Sequence, residues 1–63
     1  MDLKTARINA GFSQVEAAQR LNVSQTAISM WESNTTKPRS KKMKLIAELY
    51  GVTVDDLLKE DTA

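Results

Sequence analysis

Covalent chemistry has little to work with in these sixty-three residues. The chain contains no histidine and no cysteine. A serine or threonine hydroxyl therefore has no imidazole base, and no thiolate is available as nucleophile or zinc ligand. A mass of 7.0 kDa also leaves little room for a walled pocket. Neither an enzyme nor a protein dependent on a metal or other cofactor is expected. What remains is hydrogen bonding and charge. Thr26, Ser29 and Met30 recur at the spacing of one helix side, and Gln25 stands at its start. These four carry no formal charge, in a chain that is 27% charged. Such a face can meet the edges of bases in a groove about 12 Å wide. Glutamine matches N6 and N7 of adenine, serine and threonine donate or accept, and Met30 or the Thr26 methyl can touch a thymine methyl.

The charges tell a second part. The net charge is only +1, but it is unevenly spread. Residues 1 to 36 balance to zero; Lys37, Arg39, Lys41, Lys42 and Lys44 then give +5 with no acid among residues 37 to 47. Residues 48 to 63 return −4, with Glu48, Asp55, Asp56, Glu60 and Asp61 against Lys59. A basic segment beside an acidic tail suits a protein that turns one side to a polyanion and the other away.

Helices must position these groups, because no segment alternates long enough for a strand. Gly11 and Gly51 each follow a periodic run, where a left-handed residue closes a helix. Ser13 with Glu16 has the spacing of a capping box, Thr53 with Asp56 has a weaker form, and Ser24 can cap between them. Asn34 to Pro38 is rich in turn formers. These signals predict helices over Asp2 to Ala10, Gln14 to Leu21, Gln25 to Glu32, Lys41 to Tyr50 and Val54 to Lys59. The expected architecture is all-α: one compact domain of five short helices over residues 1–63. The second and third helices, joined by a short turn at Asn22, form a helix-turn-helix over residues 13–32.

Helical spacing assigns Leu3, Ala6, Ala10, Val15, Ala18, Leu21, Ile28, Trp31, Met43, Ile46, Leu49, Tyr50, Val54, Leu57 and Leu58 to the interior. Trp31, the one tryptophan, is expected at its centre. Arg7 and Glu32 fall inside apolar stripes. A lone buried charge is costly whereas facing opposite charges can pair, so an Arg7–Glu32 bridge between the first and third helices is predicted.

Several short motifs together carry a resemblance. They are Leu3-Lys4-x-x-Arg7, Gly11-Phe12-Ser13-Gln14, Ala17-Ala18, Leu21-Asn22-Val23-Ser24, Ile28-Ser29-x-Trp31-Glu32, Lys37-Pro38 and the run Gly51 to Leu58. In these the chain resembles the Cro/repressor-like, or lambda-repressor-like, helix-turn-helix family of bacterial and phage regulators, from Leu3 to Leu58. The resemblance implies that the third helix lies in the major groove, with Gln25, Thr26, Ser29 and Met30 at base edges. It implies phosphate contacts from Gln14, Ser24, Asn34, Thr36, Lys37 and Arg39, and an internal bridge on Arg7 and Glu32. Arg39-Ser40 departs from the usual start of the fourth helix, which puts that start later. Ile8 and Leu45 stand at positions more often polar, and are expected to be exposed.

Two readings follow. In the first the chain is a sequence-specific binder of double-stranded DNA and a transcriptional regulator, of repressor type. It would bind a near-palindromic operator as a homodimer, in the cytoplasm of a bacterium and at its nucleoid. In the second the same fold is a protein-interaction module of antitoxin or anti-repressor type, with Ile8, Leu45 and the acidic segment as its contacts. No apolar run reaches the roughly 20 residues of a membrane span.

Overall fold

The computed structural model describes residues 1–58. Five helices follow one another: α1 Leu3–Asn9, α2 Gln14–Leu21, α3 Gln25–Glu32, α4 Ser40–Tyr50 and α5 Val54–Leu58. No strand occurs among the described residues, and the fold is an all-α bundle of the lambda-repressor-like kind.

The helix ends follow from side-chain oxygens and left-handed residues. Asp2 is extended and accepts from the Thr5 N–H at 2.7 Å, so it caps α1 and stands outside it. Ser13 accepts from the Glu16 N–H at 3.0 Å, and the Glu16 carboxylate accepts from the Ser13 N–H at 3.1 Å. The Ser13 N–H, with its hydroxyl, holds the Glu16 carboxyl below the usual carboxylate range. Ser24 accepts from Ala27 at 3.1 Å, and Thr53 from Asp56 at 3.0 Å. Gly11 and Gly51, at φ +86° and +70°, take the left-handed conformation that closes α1 and α4.

Three boundaries differ from the sequence expectation: Asp2 and Ala10 cap α1 and stand outside it, and α4 starts earlier. The fourth helix begins at Ser40, one residue before Lys41. Arg39 stays extended after Pro38, and its carbonyl accepts from the Met43 N–H at 2.8 Å, so Ser40 becomes the first helical residue. Arg39 offers no side-chain cap. The expected end of the last helix at Lys59 lies outside the described residues.

Ile28 and Ile46 are the largest fully buried side chains. Around them lie Ala6, Ala17, Ala18, Leu21, Ala47 and Tyr50. Trp31 is only half-buried, because it sits at the last turn of α3, beside an open groove lined by Leu3, Met43 and Leu57. In so thin a bundle the middle is filled by isoleucine. Val15 and Leu58, expected inside, are exposed. Ala17 is fully buried instead of Val15, since α2 turns its smallest side chains toward its neighbours where helix axes must come close. Leu58 is the last residue of the five-residue α5. Ile8 and Leu45 are exposed, at 55% and 48%.

Arg7 and Glu32 meet across α1 and α3. Arg7 Nε donates to Glu32 Oε2 at 2.6 Å and Nη2 to Oε1 at 3.2 Å. The third nitrogen, Nη1, donates to the Phe12 carbonyl in the α1–α2 turn at 2.8 Å. Both side chains are more than nine-tenths buried, and the pairing raises the Arg7 pKa further. Removing either partner alone strands a buried charge, at about 3–5 kcal/mol. Arg7→Met or Glu32→Leu should each lose about that much in urea unfolding, and the double variant should recover most of it. Strictly additive losses would show that the two groups do not act as a pair.

Tyr50 is buried beside this pair. Burial, with a smaller push from the Glu32 carboxylate and an opposing pull from Arg7, moves its hydroxyl from 10.0 up to about 12. The folded value lies above the unfolded one, so the stability contributed by neutral Tyr50 is whole below about pH 10 and lost as pH rises toward 12. Urea midpoints should fall more steeply across that window in the wild type than in Tyr50→Phe. Parallel curves would mean that Tyr50 ionises freely in the native state.

Candidate nucleic-acid interface

The α2–α3 unit is built around three residues of turn. Asn22 adopts the left-handed conformation at φ +56°, which asparagine tolerates better than most residues with a Cβ. Its N–H bonds to the Gln19 carbonyl and that of Val23 to Ala18, which satisfies the end of α2. Lys42, from α4, donates its Nζ to the Leu21 carbonyl at 3.1 Å. Ser24 then starts α3. The turn is short because each of its residues serves one helix end or the other.

Ile28 anchors α3 inward at 1% exposure, and this orients the opposite side. Gln25, Thr26 and Ser29 are exposed there. Met30 is half-buried, at the margin between outward Ser29 and the groove side of Trp31. Its carbonyl also anchors the following loop: the N–H of Thr35 reaches it at 2.9 Å, that of Thr36 at 3.4 Å, and the Ser33 hydroxyl at 3.2 Å. The loop is thus folded back on the last turn of α3. Asn34 lies within it at φ +62°.

The residues expected at phosphates fall into two groups. Asn34, Thr36, Lys37 and Arg39 are exposed; the Lys37 ammonium and the Arg39 guanidinium have no ion-pair partner among the described residues. Gln14 and Ser24 are committed in part. Ser24 accepts the helix cap but keeps its hydroxyl hydrogen. Gln14 is half-buried and donates from Nε2 to Glu32 Oε1 at 3.1 Å. Its Oε1 accepts from Gln25 Nε2 at 3.4 Å. The buried bridge, the first residue of α2 and the first residue of α3 therefore form one chain of hydrogen bonds. Sequence reasoning did not find this link, because Gln14 stands 18 residues from Glu32 and 11 from Gln25, and no local pattern connects them.

The basic segment also divides. Lys41 and Lys44 are exposed and have no ion-pair partner among the described residues, as with Lys37 and Arg39. Lys42 is half-buried and bonded to α2. Arg20, outside that segment, sits over the Phe12 ring at 5.8 Å. Among the described residues no cluster of three metal-ligating side chains occurs, and no helix is long and apolar enough to cross a membrane.

Two short helices joined at a left-handed turn, the second with an uncharged outward face, define a helix-turn-helix. The chain belongs to the XRE-type helix-turn-helix family, whose sequence profile matches residues 3–57. It is similar to the HTH-type transcriptional activator BcrR of Enterococcus faecalis, 39% identical over 56 residues, which is 89% of this chain and 28% of BcrR. It is similar also to the HTH-type transcriptional regulator ImmR of Bacillus subtilis, 37% identical over 59 residues, 94% of this chain and 46% of ImmR. The chain thus spans less than half the length of both relatives. Among solved structures, none matches.

The geometry separates structural from available cations. Lys42→Met should lower stability by about 1–2 kcal/mol in urea unfolding, through loss of a charged donor to a helix end. Alanine at Lys37, Arg39, Lys41 or Lys44 should stay within about 0.5 kcal/mol of wild type. Equal losses across the five would remove the distinction.

Proposed function

We propose that the chain binds double-stranded DNA sequence-specifically and regulates transcription, with α3 in the major groove. The observation that carries this reading is the outward side of α3. It is uncharged and hydrogen-bonding, and the loop that follows supplies cations without ion-pair partners among the described residues. Gln25, Thr26 and Ser29 reach base edges, with Met30 at the edge of the contact. Gln14, Ser24, Asn34, Thr36, Lys37 and Arg39 hold the phosphates, with the N-terminus of α2 adding its amides to Gln14. Arg7 and Glu32 hold α3 in register beneath them.

One such unit reads only a few base pairs. A homodimer on a near-palindromic operator, with its two reading helices about 34 Å apart, supplies the missing contact. Repression is the simpler outcome, because a bound dimer need only overlap a promoter. Activation, the role in the name of BcrR, asks for a polymerase-contacting surface as well. The protein would act in the cytoplasm, at the nucleoid DNA of a bacterium or of a phage within it. The enzyme class stays outside this reading, since both relatives are named as transcriptional regulators. A second reading rests on the exposed Ile8, Leu45 and Leu58: the fold as a protein-interaction module of antitoxin or anti-repressor type.

Selection from a random duplex pool separates the two. An enriched, near-palindromic motif is expected, and no enrichment would favour the interaction module. Affinity for the selected site should fall with salt at a log–log slope of about −0.9 per phosphate contact. Lys37→Ala and Arg39→Ala should each make the slope shallower by about one and weaken all sequences alike. Thr26→Ala should instead relax one position of the motif, by about 1–3 kcal/mol.

A further inference from the structure

We propose that the Ser33 and Thr35 hydroxyls are a positioning pair, which orders the phosphate-facing loop on α3 before DNA arrives and does not itself touch DNA. The role rests on the DNA-binding reading above and falls to two residues that no contact in that reading uses.

The count of hydroxyl hydrogens gives the pair its direction. Ser33 Oγ donates to the Met30 carbonyl at 3.2 Å, and a hydroxyl has one hydrogen to give. The 2.8 Å bond between Ser33 Oγ and Thr35 Oγ1 is therefore donated by Thr35. Both hydrogens are spent inside the protein, and each oxygen keeps only lone pairs. A phosphate oxygen also only accepts, so neither hydroxyl can hold one. Asn34 and Thr36 differ: both are exposed, and no side-chain hydrogen bond engages either among the described residues. Asn34 stands between the pair in the left-handed conformation, at φ +62°, where the chain turns back on α3.

The anchor connects the pair to the DNA-binding surface. The Met30 carbonyl belongs to the last turn of α3 and receives, besides Ser33, the N–H groups of Thr35 at 2.9 Å and Thr36 at 3.4 Å. Phosphate contacts from Asn34, Thr36, Lys37 and Arg39 are thereby hung from the helix that reads bases. Both hydroxyl bonds are exposed, where water competes and each adds little to stability. Their effect falls on order instead. A loop already ordered in the free protein spares the complex the entropy of fixing it, and affinity is higher for that reason.

Binding to the pool-selected duplex is measured for wild type, Ser33→Ala, Thr35→Val and the double variant. Each single variant should bind about fivefold more weakly, the worth of one modest hydrogen bond, with the selected motif unchanged. The double variant should bind no more weakly than either single one, since the pair can be lost only once. In DNA-free protein, the heteronuclear NOE of the Asn34 to Lys37 amides should fall in both single variants, reporting faster backbone motion. Urea midpoints should stay at the wild-type value. Unchanged affinity, additive losses in the double variant, weaker binding without a change in loop motion, or a lowered urea midpoint would each overturn the role and leave the DNA-binding reading standing. A wild-type protein that enriches no motif would remove that reading and the positioning role with it.

Discussion

The fork between Arg7 and Glu32 is the constraint on which the remaining geometry depends. In a bundle this thin, two charges more than nine-tenths buried are tolerable only because their hydrogen-bonding groups are met. Two guanidinium nitrogens serve the carboxylate and the third serves the Phe12 carbonyl. No buried side-chain nitrogen or oxygen is left unsatisfied among the described residues. A pair of apolar residues could fill the same volume at similar stability, so the value of the ion pair lies in its directionality. It holds α1, the α1–α2 turn and α3 at one mutual angle, and it sets α2 through Gln14. Ile28 and Ile46 contribute the hydrophobic stabilisation of the interior, but apolar contacts are non-directional and would accept several helix rotations.

Charge follows the same division between holding and reaching. Seen as a sum, +1 is uninformative; seen along the fold, the cations sort by what they touch. Arg7 is consumed by Glu32, Lys42 by the end of α2 and Arg20 by the Phe12 ring. Among the described residues Lys37, Arg39, Lys41 and Lys44 have no ion-pair partners, on the loop after α3 and on α4. A surface bearing unpaired cations attracts anions through long-range field, weakly for each group and strongly together. On the proposed DNA-binding reading, the uncharged outward face of α3 is the part able to discriminate, because hydrogen bonds to base edges depend on position in a way that attraction to phosphate does not.

Helix number, order and most of the boundaries were legible in the amino-acid sequence, because caps and left-handed residues act within four residues of where they stand. Ser13 with Glu16, Ser24, Asn22 and Gly51 are such local signals. The opposed charges of Arg7 and Glu32 were legible for a different reason: a charge inside an apolar stripe demands a partner, and few were on offer. Folding in three dimensions was needed for whatever depends on helix rotation and on separation along the chain. Rotation put Ala17 rather than Val15 inside, left Trp31 at a groove and drew Met30 partly under the loop. Separation hid the contacts of Lys42 with Leu21 and of Gln14 with both Glu32 and Gln25. Composition and spacing place a side chain on a face; the direction in which an amide points is decided only by the acceptor it meets there.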